Sequence, residues 1–484
     1  MIPLTLAEIA DVTGGRLHNA DGAATVTGSV EFDSRHLGAG GLFVAVPGER
    51  VDGHDFAAVA MAAGAVGVLA AREVDAPAVI VPPASEAHVG AVALAGDTDG
   101  SGAAVLAGLA AIARAVVDRL TPGGLTVVGV TGSSGKTSTK DLISQVLEPL
   151  GPTVAPPGSF NNELGHPWTV LRADADTKHL VLELSARGPG HIRALCETAP
   201  PQIGVVLNVG SAHLGEFGSR EGIAETKGEL AEAATEVVIL NADDPLVRAM
   251  ADRTKARVVL VGEAADADVR AVDVELDEQA RATFRLVTTA GEAIVKLGLH
   301  GAHHVGNALS AAAVALELGA SVDDVAHSLS GAQRRSGRRM EVSVRDDGVT
   351  VVNDSYNANP ESMAAALRTL ARMTAEPKGR TWAVLGVMGE LGDSGADAHE
   401  EIGRLAVRLR IDRLVAVDEQ AGAIRHGARL EGSGHGEEPV LVPDVEAAVA
   451  LLNAELRPGD VVLVKASKVA ALWRVADALL GSRA

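Results

Sequence analysis

The stretch LTVVGVTGSSGKTSTKDLISQVL, residues 125–147, decides how this chain is organised. It begins with a short apolar run, passes through a turn rich in Gly and Ser, and continues with apolar residues at helical spacing. This pattern predicts a strand, a tight loop and a helix. Unpaired backbone amides and the helix dipole favour an anion at such a loop. Lys136 adds a positive charge for the β- and γ-phosphates, and the Thr137 hydroxyl suits a magnesium ion.

The loop departs from the full Walker A pattern, G-x-x-x-x-G-K-[ST]. Val130 stands where that pattern has its first glycine, and the motif present is Gly132-x-x-Gly135-Lys136-Thr137. The alternative is an ordinary Gly-rich turn between a strand and a helix. The strand and helix that the phosphate-binding motif requires are both indicated here, so we predict a nucleoside triphosphate site.

Composition narrows the class of protein. A chain of 484 residues is expected to fold into about three domains, because single cores stop growing well below this length. The net charge is −21 and there is no basic block, which argues against nucleic acid as the main partner. Only nine of the 42 basic residues are lysines, so a lysine inside a motif is informative.

Cysteine usage and the N-terminus indicate a cytoplasmic protein. The single cysteine, Cys196, excludes an internal disulfide, fits a reducing compartment, and is better explained as a small buried apolar residue than as a nucleophile. The N-terminal segment carries Glu8 and Asp11 without a basic region, so it does not resemble a signal peptide. No uncharged stretch is long and apolar enough for insertion into a membrane.

The spacing of apolar runs predicts an α/β protein with three domains. We expect a small N-terminal α/β domain (1–98), a central P-loop ATPase-like domain with a parallel sheet (99–332), and a C-terminal Rossmann-like domain (333–484). Near-continuous β-branched runs are typical of parallel strands that are buried on both faces. Such runs occur at 180–184, 203–209, 236–240 and 257–261, and again at 349–354, 382–387, 413–418 and 460–467.

Polar residues follow several of these predicted strands. Glu183, Asn208 and residues 241–244 come at strand ends in the central domain, where an open α/β sheet places its ligand crevice. A lone acid that ends a buried strand needs a partner or a metal, so Glu183 is a candidate magnesium ligand. His213 and Lys227 lie nearby in sequence, but from the residues alone a packing histidine and a solvated lysine are favoured.

Eight motifs together resemble the Mur ligase family of ATP-dependent amino-acid and peptide ligases. They are TGSSGKT, NNELGHP, LVLELS, NVGSAHL, NADDP, HHVGNALSAAA, GRRMEV and NDSYNANPESM, in the family's order along nearly the whole chain. The motifs DSYNANP (354–360) and LGVMGELGD (385–393) resemble one branch in particular. That branch joins D-alanyl-D-alanine to UDP-N-acetylmuramoyl tripeptide through an acyl phosphate, in the last cytoplasmic step of peptidoglycan precursor synthesis.

The resemblance implies an ATP site, two magnesium ions and a catalytic set of Lys136, Glu183, His213 and Lys227. Thr137 and Glu183 are expected to hold the first ion. His213 and Lys227 are expected to hold the second, with Lys227 carbamylated, because a cationic amine repels magnesium whereas a carbamate is an anionic oxygen ligand. The ATP contacts implied by the family are Gly132, Ser133, Ser134, Gly135, Lys136, Thr137, Ser138, Asn307 (adenine), Arg338 (phosphate or ribose) and Asp354 (ribose).

The family also implies residues for the other two substrates. Ser34 and Arg35 match a UDP-binding DSR motif, and Asn161 and Asn162 are expected to meet the nucleotide substrate. The signature loop is expected to border the dipeptide and ATP sites through Tyr356, Asn357 and Asn359. We expect a monomer whose partners are UDP-N-acetylmuramoyl tripeptide and D-alanyl-D-alanine.

Two departures and three alternatives remain open at this point. Ser185 replaces a glycine that is frequent in the family, and His304 stands where Asn is common. A sibling Mur ligase or a folylpolyglutamate synthase, which add a single amino acid, would keep the ATP residues but not DSYNANP. A P-loop kinase would release no amide, and a non-catalytic ATP-binding scaffold is disfavoured because every expected catalytic residue is present.

Overall fold

The computed structural model describes residues 1–48, 51–84, 97, 99–211, 214–373, 379–432 and 437–481. Within these ranges the chain forms a five-stranded, a nine-stranded and a six-stranded sheet in succession, besides a two-stranded pair near the N-terminus. All eight predicted apolar runs form strands in the two larger sheets. The α/β class and the three-part order predicted from the sequence are confirmed.

The N-terminal sheet is small and mostly parallel. The elements are β1 (Leu4–Thr5), α1 (Leu6–Thr13), β2 (Arg16–His18), β3 (Thr25–Val26), β4 (Val30–Glu31), β5 (Leu42–Val44), α2 (Ala57–Ala62), β6 (Gly67–Ala70) and β7 (Ala78–Ile80). The strand order of the sheet is β2-β7-β6-β5-β4, with β2 antiparallel to β7, while β1 pairs with β3. Helix α1 begins at a capping box in which Thr5 and Glu8 satisfy each other's backbone amides.

The central part carries the nine-stranded sheet. It contains α3 (Ser101–Leu120), β8 (Thr126–Thr131), α4 (Lys136–Leu147), β9 (Thr153–Val154), α5 (Gly165–Val170), β10 (His179–Glu183), α6 (His191–Thr198), β11 (Ile203–Val206), α7 (Leu214–Phe217), α8 (Arg220–Ala233), β12 (Val237–Asn241), α9 (Pro245–Arg248), β13 (Arg257–Gly262), β14 (Val269–Leu276), β15 (Arg281–Thr288), β16 (Gly291–His300), α10 (His304–Glu317) and α11 (Val322–Gly331). The strand order is β16-β15-β14-β13-β12-β11-β8-β10-β9.

The parallel half of this sheet is covered on both faces, as its composition predicted. Successive residues of β8 point to opposite sides, so Val127 packs into one core cluster with α6 and α8, while Val128 packs into another with α4 and α10. The other half, β14–β16, is an antiparallel meander that the sequence analysis did not predict.

The C-terminal part carries the six-stranded sheet. Its elements are β17 (Glu341–Val344), β18 (Thr350–Asn353), α12 (Pro360–Arg372), β19 (Thr381–Leu385), α13 (Gly395–Arg408), β20 (Arg413–Val417), α14 (Gly422–Glu431), β21 (Val440–Val442), α15 (Val445–Glu455), β22 (Val461–Lys465) and α16 (Trp473–Leu479). The strand order is β17-β18-β22-β19-β20-β21, and the sheet is parallel except for β17. Helices α12, α13 and α14 cover one face, and α15 and α16 cover the other.

Helix α3 joins the N-terminal and central parts. It packs on α1 and β6 on one side and on α5 and α6 on the other, and its apolar residues belong to one core cluster with both parts. Because α3 packs against both parts, the structure does not separate them at residue 98, and that domain boundary stays a prediction.

Loops at the carboxyl ends of the C-terminal strands touch the central part. The Asn359 side-chain amide donates to the Ser133 carbonyl over 3.4 Å, and the Ser211 amide donates to Glu361 over 2.8 Å. Further along the same edge, Arg187 forms a 2.8 Å ion pair with Glu390. The C-terminal part thus contacts the phosphate loop directly, through Asn359 and Ser133.

None of the helices described is both long and apolar enough to cross a membrane.

Candidate active site

The predicted phosphate loop lies between β8 and α4, at the carboxyl end of the sheet. Gly135 has φ +81°, and a Cβ there would lie 2.8 Å from the Asn307 side-chain oxygen, so a residue with a side chain would be both strained and crowded. Asn208, which follows β11, holds the loop from the other side, since its side-chain oxygen accepts from the Ser134 amide at 2.9 Å. Asn307, the predicted adenine contact, therefore lies against the loop.

The Lys136 side chain turns back over this loop. Its Nζ donates to the Gly132 carbonyl at 2.7 Å. Burial lowers the pKa of Lys136 and the nearby Arg339 lowers it further, whereas the Glu183 carboxylate raises it. No carboxylate among the described residues forms a hydrogen bond or an ion pair with the Lys136 amine. A bound phosphate group would therefore supply its anionic partner.

Thr137 and Glu183 meet beside the loop, as predicted. The Thr137 hydroxyl donates to Glu183 Oε2 at 2.9 Å, and both residues are 1% exposed. The Ser159 hydroxyl and the Asn161 side-chain amide donate to the other carboxylate oxygen at 2.9 and 2.7 Å. Among the residues that the structure describes, no Lys or Arg forms an ion pair with Glu183. A buried carboxylate held by hydroxyl and amide groups suits a hard cation such as magnesium.

Lys227 lies on α8 and is only 6% exposed. Burial holds its pKa well below the usual range, and the charge of Lys136 lowers the pKa further. Within the described ranges no hydrogen bond or ion pair engages its amine. His213, its predicted partner on the second magnesium ion, lies outside the described residues.

The C-terminal side of the site is built on the end of β18. The Asp354 carboxylate forms a 2.6 Å ion pair with Lys465, at the end of β22. It also accepts a hydrogen bond from the Met340 amide at 3.0 Å. Lys465 also donates to the Asn357 carbonyl at 2.9 Å, which fixes the signature loop. Asn359 caps α12 by accepting from the Ser362 amide.

Two neighbouring arginines enter this region on different sides. The Arg338 guanidinium, a predicted nucleotide contact, stacks 4.3 Å from the centre of the Trp473 ring. The Arg339 guanidinium stacks 4.2 Å from the centre of the Tyr356 ring. Its Nε is buried without a hydrogen-bond partner, and its charge acts on Lys136. Arg339 is therefore a candidate anion contact that the sequence analysis did not single out.

The predicted UDP motif lies in the N-terminal part, directly after β4. Arg35 is exposed and pairs with Asp33, and this pair lowers the pKa of the Asp33 carboxyl. Trp168 on α5 donates to Glu31 over 3.1 Å, across the boundary between the N-terminal and central parts. Phe32 and Phe160 pack on the same indole, with ring centres 5.9 and 4.7 Å away. Ser34 and Arg35 follow Phe32 of this aromatic cluster by two and three positions in the sequence.

The two asparagines of NNELGHP have different environments. Asn161 reaches Glu183, whereas Asn162 accepts from the Gly165 amide at the start of α5. Ser185, the residue that replaces a frequent glycine, donates from its hydroxyl to the Asn161 carbonyl at 2.9 Å. The departure is thus accommodated, and it ties the Asn161 loop to the end of β10.

Comparison with known proteins shows which family has this architecture. The chain matches family models described as "Mur ligase family, catalytic domain" over residues 27–113, "Mur ligase middle domain" over 130–315, and "Mur ligase, glutamate ligase domain" over 338–468. It is 58% identical to the UDP-N-acetylmuramoyl-tripeptide–D-alanyl-D-alanine ligase of Mycobacterium tuberculosis, covering 99% of this chain and 98% of that protein.

Solved structures agree with the sequence relatives. The crystal structure of MurF from Acinetobacter baumannii matches with a TM-score of 0.84 and 30% identity, over 99% of both chains. The MurF ligase from Thermotoga maritima in complex with ADP matches with a TM-score of 0.77 and 30% identity, over 94% of this chain and 98% of that one.

Proposed function

The chain belongs to the Mur ligase family, and we propose that it joins D-alanyl-D-alanine to UDP-N-acetylmuramoyl tripeptide at the expense of ATP. The observation that carries the proposal is the convergence of Lys136, Thr137 and Glu183 at a loop that the C-terminal signature residue Asn359 also contacts. Full-length relatives with this activity support the choice of substrates.

The reaction proceeds in two steps. A carboxylate oxygen of the tripeptide attacks the γ-phosphorus of ATP, which releases ADP and gives an acyl phosphate. The amine of the dipeptide then attacks the acyl carbon, and phosphate leaves as the amide forms. Activation is needed because a carboxylate is a poor electrophile with a worse leaving group.

The residues of this chain position and neutralise the phosphates. Loop residues Gly132 to Ser138 and the Lys136 amine are proposed to bind the β- and γ-phosphates, where desolvation strengthens each charge interaction. Arg339, stacked on Tyr356, approaches the same region from the C-terminal side. Asn307, Arg338 and Asp354 are proposed to contact the adenine and ribose.

We propose magnesium at two places. Thr137 and Glu183 would supply a hydroxyl and a buried carboxylate for one ion. Bound magnesium supplies neutralisation of the charge between the carboxylate and the triphosphate. His213 and Lys227 are proposed to hold a second ion.

Carbamylation of Lys227 is the form of that residue that suits a cation. Burial and, to a smaller extent, the charge of Lys136 lower the pKa of this amine, which favours the neutral form that can combine with CO₂. The product is an anion with two oxygens in place of a cation. It would balance Lys136 as well as magnesium.

The other substrates are proposed to approach from either side of the phosphate loop. Ser34 and Arg35 hold the UDP group, while Asn161 and Asn162 border the muramoyl part. Tyr356, Asn357 and Asn359 border the dipeptide. We place the reaction in the cytoplasm, where ATP and UDP-linked precursors are available, and expect the enzyme to act as a monomer.

One assay tests this proposal. The protein is incubated with ATP, magnesium, UDP-N-acetylmuramoyl tripeptide and D-alanyl-D-alanine, and the products are weighed by mass spectrometry. We expect the UDP-linked pentapeptide together with ADP and phosphate in equal amounts. Lysine-containing and diaminopimelate-containing tripeptides are both offered.

The assay also separates the alternatives. Phosphorylated tripeptide without an amide would indicate a kinase. When a mixture of single amino acids is offered in place of the dipeptide, a product extended by one amino acid would indicate a sibling ligase. Hydrolysis of ATP with no change in either acceptor would contradict the proposal. The Lys136→Ala variant serves as the inactive reference.

A further inference from the structure

The segment 333–336, here named the interdomain strap, runs from α11 to the C-terminal part along one face of α4. Gln145 and Gln333 exchange two hydrogen bonds of 2.9 Å between the Gln145 side chain and the Gln333 backbone. One helical turn earlier, the Asp141 carboxylate accepts from the Ser336 amide at 3.0 Å. Arg335 completes the contact by donating to Ser144 at 3.0 Å and by pairing with Glu148.

These contacts follow the spacing of a helix face. Residues 141, 144 and 145 of α4 and residue 148, directly after its last residue, are spaced by three or four positions along one face of the helix. The strap lies along this face and contacts it through the backbone groups of Gln333 and Ser336 and through the Arg335 side chain. It is therefore bound by three residues of α4 and by Glu148, and none of these is part of the phosphate loop.

Asp141 is the buried charged residue of this helix face. It pairs with Lys140, which is itself buried and also donates to the Pro156 carbonyl at 2.8 Å. A buried ion pair of this kind holds its geometry because either charge alone would be unpaired away from water. Asp141 lies five residues after Lys136, so its hydrogen bond connects the phosphate-loop end of α4 to the Ser336 amide.

Beyond the strap the chain enters the nucleotide site. Arg338 and Met340 have φ values of +59° and +45°, which side chains other than glycine adopt at a cost in free energy. The Met340 amide donates to Asp354, and Arg339 between them stacks on Tyr356. This backbone conformation is held in place by the strap before it and by Asp354 after it.

We propose that Asp141 and Gln145 are positioning residues, which couple the phosphate loop to the C-terminal part through the interdomain strap. The occupied phosphate loop fixes α4, α4 fixes the strap, and the strap places Arg339 and Asp354 opposite Lys136. This inference rests on the proposed function for its kinetic consequence, but the coupling itself is a property of nucleotide binding.

The test compares Gln145→Ala with Gln202→Ala. Gln145 is partly exposed, and its removal deletes two hydrogen bonds to the strap. Gln202 also binds backbone groups, accepting from the Val127 amide at 2.7 Å, but it directly precedes β11 and none of its described hydrogen bonds reaches the strap. Both changes remove side-chain to backbone hydrogen bonds, so their effects on Tm are expected to be similar.

Three quantities are measured for each variant: the Kd of a non-hydrolysable ATP analogue, kcat, and the energy transfer between dyes on the central and C-terminal parts. For Gln145→Ala we expect Kd within about threefold of the parent, kcat lowered about tenfold, and a reduced response of energy transfer to the nucleotide. Gln145→Glu, which keeps the acceptor for the Gln333 amide, should lie between the two. Gln202→Ala should keep both kcat and the response.

Equal kcat and equal nucleotide response in Gln145→Ala and Gln202→Ala would overturn the proposal, because the strap would then be only a structural contact. Failure of the proposed function would look different. The parent protein would then form no pentapeptide, while the energy-transfer response to the nucleotide would still distinguish the two variants.

Discussion

The Lys227 amine is buried beside Lys136 without an anionic partner in the described structure, which makes it the most informative single residue for catalysis. We expect Lys227→Ala to lower kcat by roughly 100-fold or more, because loss of an anionic metal ligand removes several kcal/mol of charge stabilisation. Short carboxylic acids, added in trans, should restore part of the activity by replacing the carbamate oxygens. The measurement is the initial rate of amide formation with and without acetate.

The control for that experiment is Lys255→Ala, which removes an exposed lysine before β13. It should keep the parent rate, and acetate should not increase it. Full activity of Lys227→Ala would remove the carbamate from the account.

His166 on α5 predicts a pH dependence of stability. Both of its ring nitrogens are buried, and burial lowers its pKa from 6.5 to about 4, against the nearby backbone of Glu183 and Leu195, which acts to raise the pKa. Between these values the unfolded chain binds a proton that the folded chain does not, so stability falls as the pH falls. From pH 8 to pH 5 this one group should cost about 2 kcal/mol of the free energy of unfolding.

The variant His166→Leu tests this cause. It should unfold in urea at pH 5 with a smaller loss, relative to pH 8, than the parent protein. His327→Leu changes an exposed histidine on α11 and should keep the parent's pH dependence. If His166→Leu and the parent lose the same stability between pH 8 and pH 5, the buried imidazole is not the cause.

At the scale of secondary-structure elements, α12 links the C-terminal sheet to the phosphate loop. Asn359 has two separate tasks, since its side-chain oxygen caps the helix and its side-chain nitrogen donates to the Ser133 carbonyl. Asn359→Asp keeps the cap but loses the donor. We expect an unchanged Tm, with kcat/KM for ATP lowered roughly three- to tenfold.

Asn359→Ala is the comparison variant, because it loses both tasks. Its free energy of unfolding should fall by about 1 kcal/mol in addition to the kinetic loss. A parent-like kcat/KM in Asn359→Asp would show that the contact with Ser133 has no part in nucleotide use.

The elements that could be predicted are those whose sequence pattern alone determines their place. Parallel strands such as β10 and β12 are buried on both faces, so they read as continuous apolar runs. The meander β14–β16 has one exposed face, and its alternating pattern (RAVDVEL, ATFRLVT) lacks such runs. These three strands therefore lack the continuous apolar runs from which the other strands were predicted.

The residues of the candidate site are likewise of two kinds: some are identified by a local sequence motif, and others are brought to the site only by the fold. Lys136, Thr137 and Glu183 are identified by a loop motif and a strand end, which are local features. Ser159 and Arg339 contribute through contacts with residues about 20 positions away in sequence, at Glu183 and Tyr356. A clue to Arg339 was present, since it adjoins Arg338 in the motif GRRMEV, but only the fold shows that the two side chains diverge.

At the scale of the whole molecule, the nucleotide groups are divided between two sheets. Lys136 belongs to the central part, while Asp354 and Arg338 come some 200 residues later. We expect the molecule to become more compact when an ATP analogue and UDP-N-acetylmuramoyl tripeptide bind, which excludes water from the acyl phosphate. Small-angle scattering measures this as a fall in the radius of gyration.

The Lys136→Ala variant is the control for the scattering measurement, because it should bind the analogue weakly and keep the larger radius. An unchanged radius in the parent protein under saturating ligands would contradict domain closure.

The central claim is that ATP activates the carboxylate of the tripeptide before the amide forms. The most direct measurement uses tripeptide whose terminal carboxylate carries ¹⁸O on both oxygens, and follows the label by mass spectrometry of the released phosphate. One labelled oxygen should pass into phosphate for each amide formed, because the oxygen that attacks the γ-phosphorus leaves with it. Amide formation with no label in the phosphate would contradict the account.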